Sequence, residues 1–312
     1  MNNQSRPSRS SQRSGKKKTG RGSIVKRVLL WILGLFVLMV VAGACVFFYY
    51  ASSAPKISRN ELASQTTTTI YDADNNIISR LGAQKREYAS SSEIPSTLKN
   101  AVVAIEDRRF YKHHGVDPVR IMGAAVADIT HRSSGMQGGS TLTQQLVKLS
   151  VFSTSDADRT LKRKAQEAWL AINVERHFSK SQILGFYINK VYMGNGVYGM
   201  KTAAQYYYGK DLNELSLAQL AMLAGIPQSP TYYNPTTGNA KYATQRRNQV
   251  LDAMVRSKYI SQSQANAAKQ VSIKEGLDPN HGNTSDNSVQ VKEKVVDSYV
   301  CLLYTSPSPR DR

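Results

Sequence analysis

Glu106 ends an apolar stretch and is followed at once by Asp107, Arg108, Arg109 and Lys112, with His113, His114 and Gly115 closing the segment. A carboxylate takes a proton from a hydroxyl only when ionised, and neighbouring cations favour that form. A second segment, Gln137-Gly138-Gly139-Ser140-Thr141-Leu142-Thr143-Gln144-Gln145-Leu146-Val147-Lys148, opens with glycines and then turns helical. Thr141, Gln145 and Lys148 fall at i, i+4 and i+7, which puts them on one helix face. Further on, Arg159, Arg163 and Glu167 recur at i, i+4 and i+8, with Lys164 beside them. A salt-bridged surface explains this cluster poorly, because Arg163 precedes Glu167, the weaker order, worth at most about 0.5 kcal/mol. Donors aimed at a departing anion are each worth roughly 3 kcal/mol. These residue types fit an enzyme that handles a polar, phosphorylated substrate.

The elements that must position them are mostly helical. A helix from Pro95 carries Leu98, Val102 and Ile105 on one face and leads into Glu106. A second covers Val119 to Thr130, with Ile121, Ala124, Ala125 and Ile129 as its apolar face. A third begins at Ser140 or Thr141, and its stripe of Leu142, Leu146 and Leu149 lies beside the polar one. A long helix is expected over Arg159 to His177, capped by Asp156-Ala157-Asp158 and burying Leu161, Ala165, Ala168 and Ile172. Ser179 and Gln182 form a capping-box pattern that starts a helix through Tyr192. Gly194 to Gly199 reads as a loop, Leu215 to Ala224 as a buried helix stopped by Gly225 and Pro227, and Ala240 to Ser257 and Ser261 to Gln270 as two more helices. Thr66 to Tyr71 and Ile77 to Leu81 form a β-hairpin around Asp72-Ala73-Asp74-Asn75-Asn76. That turn mimics the start of a calcium loop but lacks its glycine and distal glutamate.

Length and charge organise the rest. The chain has 312 residues and a formal charge of +19. Nine Lys/Arg and no Asp or Glu lie in residues 1–27, which predicts a disordered basic tail. Aromatic residues for stacking on bases are missing there, so no nucleic-acid partner is expected. Residues 28–50 form an uncharged apolar run of roughly 34 Å as a helix, long enough for a hydrocarbon core of about 30 Å. A cleaved signal has a shorter core, and the run continues past Cys45, against a lipoprotein site. The basic flank predicts a single-pass helix in the cell membrane, with the N-terminus cytoplasmic and everything after Tyr50 outside. Residues 51–65 read as a stalk, 66–273 as the globular domain, 274–300 as a linker and 301–312 as a tail without function. Cys45 and Cys301 imply no disulfide framework.

The pattern E-D-x-x-F-x-x-H-x-G on Glu106, Asp107, Phe110, His113 and Gly115 resembles the peptidoglycan glycosyltransferase domain of class A penicillin-binding proteins and monofunctional transglycosylases. The family's G-G-S-T-x-T-Q-Q run falls on Gly138 through Gln145, with the expected Lys148. R-K-x-x-E falls on Arg163, Lys164 and Glu167, and I-L-x-x-Y-x-N on Ile183, Leu184, Tyr187 and Asn189. Gly185 stands where the family usually has an acidic residue. The resemblance covers roughly residues 66–260. It implies a mainly α, lysozyme-like fold with an apolar jaw at the bilayer, and polymerisation of lipid II into glycan strands by inverting transfer.

On that resemblance Glu106 is the base toward the acceptor hydroxyl, and Glu167 is the second carboxylate, positioning the clamp or a divalent cation, Mg or Mn. The substrate-binding positions it implies are Asp107, Phe110, His113, Gly139, Ser140, Thr141, Gln144, Gln145, Lys148, Arg159, Arg163, Lys164, Tyr187 and Asn189. No dedicated metal site is expected, since His113 has no H-x-x-x-H or Cys partner and instead hydrogen-bonds within its turn. Implied partners are lipid II, the lipid-linked glycan chain, the membrane and proteins of a cell-wall synthesis complex. Lys18-Thr19-Gly20 and Ser96-Thr97-Leu98-Lys99 echo penicillin-site triplets, yet neither lies in a domain that could use them, so no transpeptidase domain is expected here. Residues 274–300 resemble the lead into such a domain in bifunctional relatives. A muramidase or lytic transglycosylase, and a non-catalytic cell-wall scaffold, are the competing readings. Lysis needs a carboxylic acid held protonated, which the cations after Glu106 oppose.

Overall fold

The computed structural model describes residues 21–63, 68–71, 77–81, 85–129, 139–152 and 160–278. The chain divides into two compact units, Met1–Ser52 and Ser53–Arg312. In the first, helix α1 runs over Arg21–Ser52. Its stretch Val25–Ser52 is long and apolar enough to cross a membrane, with a mean hydropathy of 2.7. Leu30, Trp31, Phe36 and Leu38 are all exposed, so the helix is apolar around its circumference.

The second unit is mainly helical. Its elements are α2 (Arg59–Leu62), β1 (Thr68–Tyr71), β2 (Ile77–Leu81), β3 (Lys85–Arg86), α3 (Ser96–Glu106), α4 (Pro118–Ile129), α5 (Leu142–Val151), α6 (Leu161–His177), α7 (Lys180–Lys190), β4 (Val197–Tyr198), α8 (Met200–Tyr208), α9 (Leu217–Gly225), α10 (Ala240–Arg256) and α11 (Gln262–Gln270). Strands β1 and β2 pair antiparallel, from Thr68 opposite Leu81 to Tyr71 opposite Ile77. The expected turn at 72–76, Gly138, Arg159 and residues 279–312 lie outside the described residues. Within the expected stalk, Ser58 and Glu61 make a capping box that folds α2 and buries Leu62.

Helix α3 is the centre of the unit. Leu98, Ala101, Val102 and Val103 have no accessible surface, because α9 and α10 both pack against α3. The expectation of one apolar face on α3 is therefore too narrow. Helix α9 can be buried from Ala218 to Gly225 because it carries no charged side chain. Capping boxes start α5 (Thr141 with Gln144), α7 (Ser179 with Gln182), α9 (Ser216 with Gln219) and α11 (Ser261 with Gln264). Each satisfies two otherwise unpaired backbone N–H groups.

Helix α6 corrects one expectation. Its N-cap is Thr160, whose hydroxyl accepts from the Arg163 N–H, and Asp156-Ala157-Asp158 lies outside the described residues. Its buried face carries Arg163, Gln166, Glu167, Leu170, Ala171 and Val174, whereas Leu161 is 84% exposed. An ion pair lies inside this face, so counting apolar residues picked the wrong side. The Gly194–Gly199 loop returns as β4, parallel to β3. Helix α8 follows it and has no counterpart in the sequence reading.

Candidate active site

Glu106 is the last residue of α3, and the buried helix behind it fixes where its side chain begins. Its Oε2 accepts from the Gln145 amide at 3.1 Å, and its Oε1 accepts from Arg246 Nη2 at 3.0 Å. Both oxygens accept from nitrogen donors, the pattern an acceptor-only carboxylate takes. The side chain keeps 12% of its surface exposed. Tyr187, on α7, donates its hydroxyl to Gln145 Oε1 at 3.2 Å and so orients the amide. Burial pushes the Tyr187 phenol well above its ordinary value, with the Glu106 charge adding to the shift and Arg246 opposing it. Tyr187 therefore stays a neutral donor.

The cation beside Glu106 is not the one the sequence suggested. Arg109 pairs with Asp117 at 2.9 Å, and Arg108 and Lys112 are exposed. Arg120 Nη1 donates to the main-chain carbonyl of Glu106 at 2.7 Å. Arg246 was missed, although one signal was present. It shares the face of α10 that buries Ala243, Val250 and Met254, and a cation in a buried register needs a partner.

The rest of the first motif is internal. Asp107, Phe110 and His113 are buried. Asp107 Oδ2 bonds His113 Nε2 at 2.9 Å and accepts from the Leu142 N–H, also at 2.9 Å. A carboxylate at the start of α5 also suits the helix dipole. Lys180 lies 4.3 Å from the Phe110 ring centroid and pairs with Glu175. Gly115 has φ +87°, and a Cβ there would stand 2.6 Å from the Ala171 backbone of α6. Its carbonyl accepts from the Thr141 hydroxyl at 2.6 Å. These contacts lock the α3 exit, the start of α5 and the middle of α6 together.

Thr141 and Gln144 are consequently buried in the cap of α5, while Gly139 and Ser140 are half-buried before it. Gln145 and Lys148 are half-buried along α5. Asn189 is a buried tie: it bonds both main-chain groups of Ala89 and donates to the Gly185 carbonyl.

A second cluster lies on α6. Arg163 Nε donates to Glu167 Oε1 at 3.1 Å, and Lys164 Nζ to Oε2 at 2.6 Å. Arg163 and Glu167 are buried, and the Lys164 side chain is half exposed. The Arg163 guanidinium lies 5.3 Å from the ring centroid of Phe152, which follows α5. Each Glu167 oxygen thus has a cationic partner, and among the described residues no group of His, Cys, Asp and Glu gathers as a metal site. That donor set does not fit a divalent cation.

A family model described as Transglycosylase matches residues 74–255. Penicillin-binding protein 1A of Streptococcus pneumoniae is 50% identical over 254 residues, 81% of this chain and 35% of that protein. Penicillin-binding protein 1A/1B of Bacillus subtilis is 47% identical over 266 residues, 85% of this chain and 28% of that protein. The chain therefore spans only about a third of the length of these curated relatives. A crystal structure of penicillin-binding protein 1A from Haemophilus influenzae aligns with a TM-score of 0.37 and 26% identity, over 66% of this chain and 21% of that one.

Proposed function

This chain belongs to the transglycosylase family, and on that premise we propose that it polymerises lipid II into glycan strands. The observation that carries this reading is the Glu106 carboxylate, held at both oxygens by nitrogen donors and still partly exposed. The acceptor sugar's hydroxyl attacks the donor's anomeric carbon and gives its proton to Glu106. The bond from that carbon to the pyrophosphate oxygen breaks, and its electron pair leaves with the polyprenyl pyrophosphate. One displacement inverts the anomeric centre. Lys148, Arg163 and Lys164 hold the departing charge, and Glu167 keeps the two α6 cations in place.

Helix α1 anchors the domain in the cell membrane, with the N-terminal tail in the cytoplasm and the catalytic domain outside. The nine cations before Val28 support that direction. Protease added to intact protoplasts should remove the domain after Tyr50 and spare the tail before Val28. Protection of the domain would overturn the orientation.

The direct test incubates the detergent-solubilised chain with labelled lipid II and, separately, with finished peptidoglycan. Polymer from lipid II is the expected product. Cleavage of finished glycan would instead indicate a lytic enzyme, which needs a protonated acid where Glu106 takes two N–H donors. Activity on neither substrate would indicate a scaffold.

A further inference from the structure

Arg246 belongs neither to the segment that carries the base nor to the cationic cluster of α5 and α6. Its side chain is only 8% exposed and joins three elements. Nη2 donates to Glu106 Oε1 at the end of α3, and Nε donates to the Gly225 carbonyl at the end of α9, at 3.2 Å. The guanidinium lies 5.8 Å from the ring centroid of Tyr233. Burial pulls the guanidinium down from its ordinary value, and Glu106 opposes that shift. Burying a cation costs several kcal/mol, and an apolar side chain would join α10 to α9 without that cost. Packing alone does not explain an arginine here.

We infer that Arg246 is the positioning residue of Glu106, fixing its carboxylate from one side while Gln145 fixes it from the other. This rests on the reading of Glu106 as the base. A base is productive only when its oxygen stands about 3 Å from the hydroxyl oxygen whose proton it takes, and an unheld glutamate samples several rotamers. The Gly225 carbonyl and the Tyr233 ring hold the guanidinium in turn, so the base is aimed by α9 and α10 as well as by its own helix.

Gly225 offers a way to disturb this aim without touching either charge. A Cβ at Gly225 would stand 3.0 Å from Arg246 Cγ and 3.5 Å from Val250 Cγ2. Gly225→Ala therefore pushes on the Arg246 stem.

The experiment measures kcat and lipid II KM for the full chain in detergent, comparing Arg246→Met, Arg246→Lys, Gly225→Ala and Glu106→Gln, each with its melting temperature. Arg246→Met should lower kcat about a hundredfold, as expected for a misplaced reacting group. KM should stay within about threefold, since the loss is confined to the chemical step. Arg246→Lys should recover about tenfold of that loss, because an ammonium still reaches one Glu106 oxygen but lacks the planar fork. Gly225→Ala should lower kcat about tenfold at constant KM. If Arg246→Met does not fold, Arg246→Lys and Gly225→Ala decide. Near-normal kcat in folded Arg246→Met, or losses carried by KM, would overturn the proposal. So would unaltered kcat in both Arg246→Lys and Gly225→Ala. An inactive Glu106→Gln beside a normal Arg246→Met removes the positioning role alone. An active Glu106→Gln removes the base reading itself.

Discussion

Glu106→Gln is expected to fold, to bind lipid II and to lose roughly 10²–10⁴-fold of its polymerisation rate, the usual worth of general base catalysis. The amide keeps the size of the carboxylate and one accepting oxygen, so Arg246 retains a partner. Its NH₂ then faces the Gln145 amide, which already donates toward this position. Turning Gln145 over would relieve that clash but would leave the Tyr187 hydroxyl without its acceptor. One unmade buried hydrogen bond costs about 1–3 kcal/mol, so a lower melting temperature should accompany the lost rate. The two effects separate readily: stability is read by thermal unfolding, lipid II binding by equilibrium titration, and polymer by gel. If the variant keeps more than about a tenth of the wild-type rate, Glu106 is not the base. Glu167 then becomes the better candidate, despite its two cationic partners.

How far the site could be read from sequence depended on the range of each interaction. The cap of α7 was legible because Ser179 with Gln182 acts across three residues, whereas the Thr141 and Gln144 box of α5 was not read, only its start after two glycines. The exit from α3 into Glu106 was legible because an apolar run simply stops there. Arg246 was not, since it lies 140 residues from Glu106 and reads locally as half of an Arg246-Arg247 pair on a polar helix. The orientation of α6 failed for a related reason. Periodicity arguments assume that charge faces water, and Arg163 with Glu167 is a buried pair. Strands β3 and β4 have two residues each, too few for any alternation to register. Gly115 read as a turn residue. Its second reason, the approach to the α6 backbone at Ala171, exists only in three dimensions.

Lys148→Ala and Arg163→Ala should each lower turnover of the lipid-linked donor by about 10²–10³-fold, and should weaken a phosphoglycolipid inhibitor in parallel. The argument begins with the packing of α5 against α6. Phe152 donates its N–H to the Lys148 carbonyl, and its ring carries the Arg163 guanidinium, so the end of α5 and the start of α6 share one junction. On α6, Arg163 and Lys164 are both held on the carboxylate of Glu167, which fixes two cations at that junction. Lys148, on α5, is the third cation the assignment uses. A pyrophosphate gains negative charge as its bond to the sugar breaks, so cations fixed there act more strongly in the transition state than on the bound donor. Arg163→Ala also strips one partner from a buried carboxylate, and part of its effect will appear as lower stability. Arg163→Lys serves as the control, keeping the charge while losing the planar guanidinium, and it should fold better than the alanine variant. Lys148→Ala carries no such complication with Glu167, because Arg163 and Lys164 both remain. Unchanged inhibitor affinity in both alanine variants would show that the two cations do not share one anionic site, and the leaving-group assignment would fall with it.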